Sequence, residues 1–315
     1  MPDRLPLMNV VALAGGIGAA RFLRGLVRAT DPADLTVVVN TGDDIRLHGL
    51  HISPDLDTIT YTLGGGIHPQ QGWGREGETF TTAHELRDRY GRPDWFTLGD
   101  RDLATHLVRS EIMADGGTLT DATAAIATAW QLPFTILPMT DAPVTTMIQT
   151  TDDRTMHFQR WWVGERAATP AARVWLDGAT NAQPAAGVLE AIAEADLVVL
   201  CPSNPVVSIG TILQVPGIRA ALKERPVVGV SPIVGGAVVR GMADKLLHAV
   251  GATVSADGVA RTYGGFLDGW VIDLRDAELA DGLRDMGLTV AVTDTMMVDV
   301  DVTTALAQTV LDLAP

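Results

Sequence analysis

Short apolar runs recur along this chain, and each stops at a turn rich in Gly, Asn, Asp, Ser or Pro before a helical pattern begins. They are residues 9–14 (NVVALA), 35–39 (LTVVV), 95–98 (WFTL), 196–201 (DLVVLC), 226–230 (PVVGV), 270–274 and 288–292. Most are unbroken and do not alternate, as expected of strands buried on both faces of a parallel sheet. Repeated strand, turn and helix units predict an α/β fold, a doubly wound, mostly parallel sheet with right-handed crossovers. Residues 133–174 break the pattern. Their alternating runs (FTILPM, VTTMIQT, TMHFQRWWV) predict a small antiparallel elaboration with a turn at Thr151-Asp152-Asp153-Arg154. The expected organisation is one overall domain, a core of residues 1–132 and 175–315 carrying that elaboration. With 47% apolar residues in 315, the chain has ample material for such a core.

In an open α/β sheet, ligands sit beyond the carboxyl ends of the strands, so the turns matter most. The first strand runs into Gly15-Gly16-Ile17-Gly18, with a helix expected over 19–29. Such a turn lets the backbone approach a phosphate, although the order is GGxGxxR, with Arg21 where a dinucleotide fingerprint has its third glycine. The second strand ends at Asn40-Thr41-Gly42 and two carboxylates, Asp43 and Asp44. A polar loop with His48 and His51 follows, then Asp55 and Asp57 open a helix. Carboxylates in these places suit a hard cation such as Mg²⁺. Plainer readings stay open: Asp55 as an N-cap, Asp57 favouring the helix dipole, Asp43 and Asp44 as turn residues. Two more turns, LGDRD at 98–102 and PSNP at 202–205, complete a predicted nucleotide crevice with acids at its centre. Helices are expected over 79–90, over 121–130 with a cap at Thr120 or Asp121, from Pro205, and through Arg240, Asp244 and Lys245. His157, Phe158, Trp161 and Trp162 are read as packing residues before ligand-stacking ones.

Several chemistries are excluded. There is no GxxxxGK[ST] and no GxSxG. His48 and His51 flank a glycine with no further zinc ligands nearby. Thirty-eight acidic against 23 basic residues leave a net charge of −15, which argues against nucleic acid or an anionic membrane as partner. No apolar run is long enough to span a bilayer. One cysteine, Cys201, and no secretion-signal layout make the cytoplasm the expected compartment. Carboxylates beside a phosphate site favour metal-assisted transfer at phosphorus over hydride transfer.

The blocks VALAGGIGAARFLRGL, VVVNTGDDIRLHGLHISPDLDTITYTLGG, WFTLGDRDLATHLVRSE, CPSNPVVSIGTIL and GVSPIVGGAVVRGMADKLL resemble the CofD/FbiA-type 2-phospholactate transferases of coenzyme F(420) biosynthesis. The resemblance implies a Rossmann-like fold, a homodimer, and Mg²⁺ as cofactor. It implies transfer of a phospho-carboxylate group from a guanosine diphosphate conjugate to the ribityl hydroxyl of the deazaflavin Fo, with release of GMP. Carried onto this sequence, it implies Asp57 and Arg101 at Fo, Asp43 and Asp57 on the metal, and Asp57 orienting or deprotonating the hydroxyl. It further implies Gly15, Gly16 and Gly18 at the diphosphate, and Asn40, Ser203 and Asn204 at the guanosine. One departure stands at GGAVVRGMAD, where many members carry a lysine that is missing here, leaving Arg240 as the clear cation. The donor is enolpyruvyl, lactyl or glyceryl, with RGMAD and WFTLGDRDLATHL leaning to the first. The alternative is a YvcK-like regulator that binds a nucleotide diphosphate sugar without turnover; IRLHGLHISPDLDT, with Asp57, argues against it. Asp57→Ala is expected to keep the fold and lose most turnover.

Overall fold

The computed structural model describes residues 8–314. Residues 1–7 and 315, counted in the core above and in part read for a secretion signal, lie outside the described residues. β1 (Val10–Ala14) is buried at every position and passes at once into α1 (Gly16–Ala29). The helix starts three residues before the expected Ala19, because Gly16 at φ +71° turns the chain straight into it. β2 (Leu35–Val39) coincides with the expected run. The polar loop expected after it is a hairpin, β3 (Ile45–Leu47) and β4 (Leu50–Ile52), with His48 and Gly49 at φ +54° and +84°. Two positive φ values in a two-residue turn are the hairpin geometry, and a histidine at the first of them disguised it.

Next come α2 (Pro54–Leu63), α3 (Thr81–Asp88), α4 (Asp100–Ala114) and α5 (Leu119–Ala129). The cap of α5 is Thr118, one turn of sequence before the expected pair, in a reciprocal capping box with Asp121. Residues 95–98 form no strand, so the GDRD turn opens α4 without a sheet strand behind it. β5 (Thr135–Pro138), read above into the antiparallel segment, pairs in parallel with β2 at the edge of the main sheet. The antiparallel sheet is β6 (Thr145–Thr150), β7 (Thr155–His157) and β8 (Ala171–Asp177), in the order β7-β6-β8.

The chain returns to the main sheet through α6 (Val188–Glu194) and β9 (Leu197–Leu200). α7 (Ile209–Ile212) begins later than Pro205, since Asn204 first holds a turn over 205–208. After α8 (Ile218–Leu222) and β10 (Val227–Val230) comes a small hairpin, β11 (Ile233–Val234) and β12 (Ala237–Val238). Arg240 therefore lies on a bend, and only Asp244 and Lys245 ride on α9 (Ala243–Ala249). α10 (Ala256–Tyr263), β13 (Gly269–Asp273), α11 (Ala280–Asp285), β14 (Thr289–Thr293) and α12 (Val300–Leu311) complete the order.

The main sheet reads β14-β13-β10-β9-β1-β2-β5, and every neighbouring pair is parallel. An apolar core covers each face, one around Leu13, Val198 and Trp270, the other around Phe22, Val37 and Leu306. This is the α/β, Rossmann-like, mostly parallel architecture with small antiparallel additions. From β1 the chain winds outward through β2 to β5, then returns to β9 and winds the other way. The switch point between β1 and β9 opens a crevice at their carboxyl ends, where the Gly15 and Ser203 turns sit. Among the described residues no helix is long and apolar enough to cross a membrane.

Candidate active site

A single cleft of about 1550 Å³ opens over that switch point. Its floor is made by the turns after β1, β2, β9 and β10, and its outer wall by residues 65–80 and 158–166. Gly15, Gly16, Gly18, Asp43, Asp57, Ser203 and Asn204 all line it, so one site gathers most of the residues expected from sequence. The glycines are there for close approach. A Cβ on Gly15 would fall 2.6 Å from Asp55 Oδ2, and one on Gly18 would overlap the Pro202 carbonyl oxygen. The Gly15 N–H donates to Ser203 Oγ at 3.3 Å, tying the β1 and β9 turns together. The Gly16 amide is turned to Asp55, and the first turn of α1 lines the cleft through Gly16, Ile17 and Gly18, a helix N-terminus of the kind suited to phosphate.

Two of the expected contacts are placed differently. Asn40 is fully buried and does not line the cleft. Its amide nitrogen donates to Asp55 Oδ2 at 2.9 Å and to the Val207 carbonyl at 3.1 Å. Its oxygen accepts from the Gly42 N–H at 2.9 Å and the Thr211 hydroxyl at 2.6 Å. With its amide fully engaged, Asn40 positions Asp55 and has nothing left for a nucleoside. Arg101 is exposed and stands outside the cleft lining, its guanidinium donating to the Glu76 carbonyl at 3.0 Å and its N–H to Glu78 Oε1 at 2.6 Å. It braces the 76–78 segment of the outer wall. Asn204, although in the cleft, spends its side-chain oxygen on the Val206 and Val207 N–H groups at 2.9 and 3.2 Å.

The four aspartates of the central stretch divide by partner. Asp44 is structural: Ser53 donates to it at 2.6 Å and His51 Nε2 lies 2.8 Å from the same oxygen, fixing the hairpin to the start of α2. Burial still pushes its carboxyl up. The His157 ring, in the elaboration, donates from Nε2 to the Asp44 carbonyl at 2.9 Å and accepts the Gln159 N–H at Nδ1. Phe158 and Trp161 are buried packing residues, as expected, and Phe158 and Trp162 also line the cleft.

Asp43 and Asp55 are buried carboxylates with no cationic partner. Burial, then the charge of Asp55, holds the Asp43 carboxyl well above its usual range, and Asp43 Oδ1 has no hydrogen-bond partner. Burial pushes Asp55 up to about 6 even though the Asn40 amide donates to it. Two buried acids, both raised by burial and one of them further by the charge of the other, with an orphaned oxygen on Asp43, fit a hard divalent cation.

Asp57 differs. Arg109, on α4 and 1% exposed, forms a two-pronged pair with it, Nη1 to Oδ2 at 3.1 Å and Nη2 to Oδ1. Arg109 Nη1 also lies 3.3 Å from His106 Nδ1, and Tyr61 donates to Asp102 at 2.6 Å. Burial and the neighbouring carboxylates of Asp57 and Asp102 push the Tyr61 hydroxyl up, so it stays a donor. Asp57, Asp102 and His106 offer ligand atoms within 4.8 Å of one another. The guanidinium already neutralises Asp57, however, so the unmatched negative charge of the cleft lies at Asp43 and Asp55. Sequence reasoning counted Asp55 among the carboxylates suited to a cation but gave the metal to Asp43 and Asp57, and it assigned no role to Asp102, His106 or Arg109. Their spacing i, i+4, i+7 along 102–109 sets all three on one helical face and was the available signal.

Comparisons with known proteins give the chain's relatives. The chain is 52% identical over 314 residues to a phosphoenolpyruvate transferase of Kitasatospora aureofaciens, with 98% of each chain covered. It is 50% identical to a phosphoenolpyruvate transferase of Thermobifida fusca, again over 98% of both. Among solved structures it resembles protein BH3568 of Bacillus halodurans, described as a member of the UPF0052 family, at a TM-score of 0.64. That likeness covers 96% of this chain and 99% of the other at 18% identity, and shows the fold alone. The model of the family 2-phospho-L-lactate transferase CofD matches residues 10–310, and the chain belongs to this family of transferases.

Proposed function

We propose that the protein transfers a phosphoenolpyruvyl group from a guanosine 5′-diphosphate conjugate to the ribityl hydroxyl of the deazaflavin Fo, releasing GMP, in coenzyme F(420) biosynthesis. The observation that carries this reading is the meeting, in one cleft, of a glycine-turn phosphate seat with the buried acids Asp43 and Asp55, neither of which has a cationic partner among the described residues. The enolpyruvyl donor follows from the relatives at 50–53% identity, which are named phosphoenolpyruvate transferases.

In this reading the α1 amides and the Gly15, Gly16 and Gly18 backbone hold the diphosphate. Ser203 fixes the turn from below, and Asp43 and Asp55 hold Mg²⁺. Bound there, Mg²⁺ supplies charge neutralisation on phosphate oxygens. Arg109 fixes the rotamer of Asp57, whose carboxylate accepts the proton of the attacking hydroxyl. The hydroxyl oxygen bonds to the phosphorus that carries the enolpyruvyl ester. The bond from that phosphorus to the bridging oxygen breaks, and GMP departs. Residues 158–166 and the 65–80 wall enclose the deazaflavin and limit water at the phosphorus. The homodimer and the cytoplasmic setting belong to the same proposal.

The test mixes purified protein, Mg²⁺ and Fo with each of the enolpyruvyl, lactyl and glyceryl conjugates. Mass spectrometry follows the deazaflavin and chromatography follows GMP. The expected result is a mass gain on Fo with the enolpyruvyl donor, abolished by EDTA. A folded protein that makes no product from any donor, yet binds a uridine diphosphate sugar, overturns the reading in favour of a regulator.

A further inference from the structure

Eight arginines of this acidic chain, Arg87 and Arg89 among them, are matched to a carboxylate among the described residues. Arg28 of α1 pairs with Asp301 of α12 at 2.9 Å, and Arg109, Arg154, Arg261, Arg275 and Arg284 are likewise paired. Three others are not. Arg21 and Arg24, two turns and one turn nearer the cleft than Arg28, and Arg240, on the bend after β12, have no carboxylate within ion-pair distance among the described residues. All three line the cleft. They also stand together, since the Arg21 guanidinium is held below its ordinary range by burial and then by the charges of Arg240 and Arg24.

The geometry sets this cluster beside the phosphate seat. Arg240 donates from Nη2 to the Gln71 carbonyl, which carries it across the cleft mouth to the outer wall. At the same place a Cβ on Gly72, whose φ is +71°, would fall 3.2 Å from Ile17 Cγ2 and 3.5 Å from Arg240 Nη1. Ile17 belongs to the first turn of α1, so Arg240 hangs over the amides proposed to hold the diphosphate. One of its five N–H donors is spent on Gln71 and the rest are available. Like charges gathered without a counter-ion raise the cost of folding, and a bound anion removes that cost.

We infer that Arg240 and Arg21, with Arg24 at the rim, form the subsite for the carboxylate of the transferred group. This rests on the transferase reading and adds to it what selects the donor. In an enolpyruvyl ester the carboxylate sits on the carbon that bears the ester oxygen, so its receptor must lie next to the diphosphate. The cluster does. Guanidinium against carboxylate supplies paired, charge-assisted hydrogen bonds, which a lysine would not reproduce.

The test compares three guanosine compounds on wild type, Arg240→Gln and Arg21→Gln: the enolpyruvyl conjugate, an ethyl conjugate of the same diphosphate that lacks the carboxylate, and GDP. Thermal unfolding first establishes that each variant is folded. Wild type is expected to prefer the carboxylated donor in kcat/KM by roughly a hundredfold, and either variant to shrink that preference by about tenfold. GDP affinity, read by calorimetry, is expected to change less than about threefold. A preference that stays at the wild-type value, or GDP affinity that falls as far as donor affinity, overturns the subsite, the latter by assigning the arginines to the diphosphate. A wild type that turns over no donor fails at the transferase reading itself, before the variants are compared.

Discussion

Asp57 reaches the cleft with Arg109 standing behind it, and this pairing changes what a substitution there does. An alanine at position 57 does more than delete a reactive carboxylate. It leaves a guanidinium that is 1% exposed without a counter-ion, beside the buried His106. Breaking a buried pair from one side costs about 3–5 kcal/mol. Asp57→Ala is therefore expected to be inactive and also markedly destabilised, against the sequence-based expectation of an intact fold. Asp57→Asn, which keeps an oxygen for Arg109, is expected to be inactive at a smaller loss. Urea unfolding midpoints for the two, with Arg109→Met as the reciprocal case, measure the difference. A midpoint for Asp57→Ala within about 0.2 M of wild type, at the usual slope, contradicts the account.

At the scale of elements, the β1, β2 and β9 turns were legible because each follows a strand buried on both faces, and the run length and turn chemistry agree. The 95–98 run deceived by having the same polar turn after it, yet it holds only Leu98 in the interior and joins no sheet. β5 deceived in the other direction, since an edge strand ending in Pro138 reads like part of the alternating segment that follows. Among the sites, the glycine turn and the aspartates were visible as types. Which carboxylate faces a cation depends on what α4 and Asn40 bring to each, and no local pattern encodes that. The resulting contrast between the β2 turn and α2 gives a prediction about pH. Asp43 and Asp55 are raised in the fold, Asp55 to about 6, so the folded state holds extra protons between the ordinary carboxylate range and that value. The contribution of Asp55 to stability is thus present at low pH and lost as pH rises through about 6, and that of Asp43 has the same sign. Mg²⁺ needs both acids ionised. The rise in melting temperature on adding Mg²⁺ is accordingly expected to be large at pH 7.5 and to shrink towards nothing at pH 5, and calorimetric scans with and without EDTA measure it. An equal rise at both pH values is the contrary outcome.

For the whole molecule, the consequential contact joins the two ends of the described chain. α12 packs along α1 so closely that a Cβ on Gly25 would overlap the Thr303 carbonyl, and Leu306, Ala307 and Val310 share a core with Phe22, Leu23 and Leu26. Removing residues 300–311 is expected to expose that face and abolish GDP binding, although no residue of the β1 turn is touched. Gel filtration and calorimetry of the truncated protein check this; a monomer that binds GDP like wild type is the contrary outcome. The same contact bears on how the chain is made. Synthesis delivers α1 long before α12, while β1 waits for β9 as its second neighbour. The nascent protein must hold its phosphate seat half-formed, with an apolar stripe uncovered, until α12 has been made. Chaperone demand should therefore fall on the first helix, and a ribosome paused before α12 should carry a chain unable to capture its own substrate.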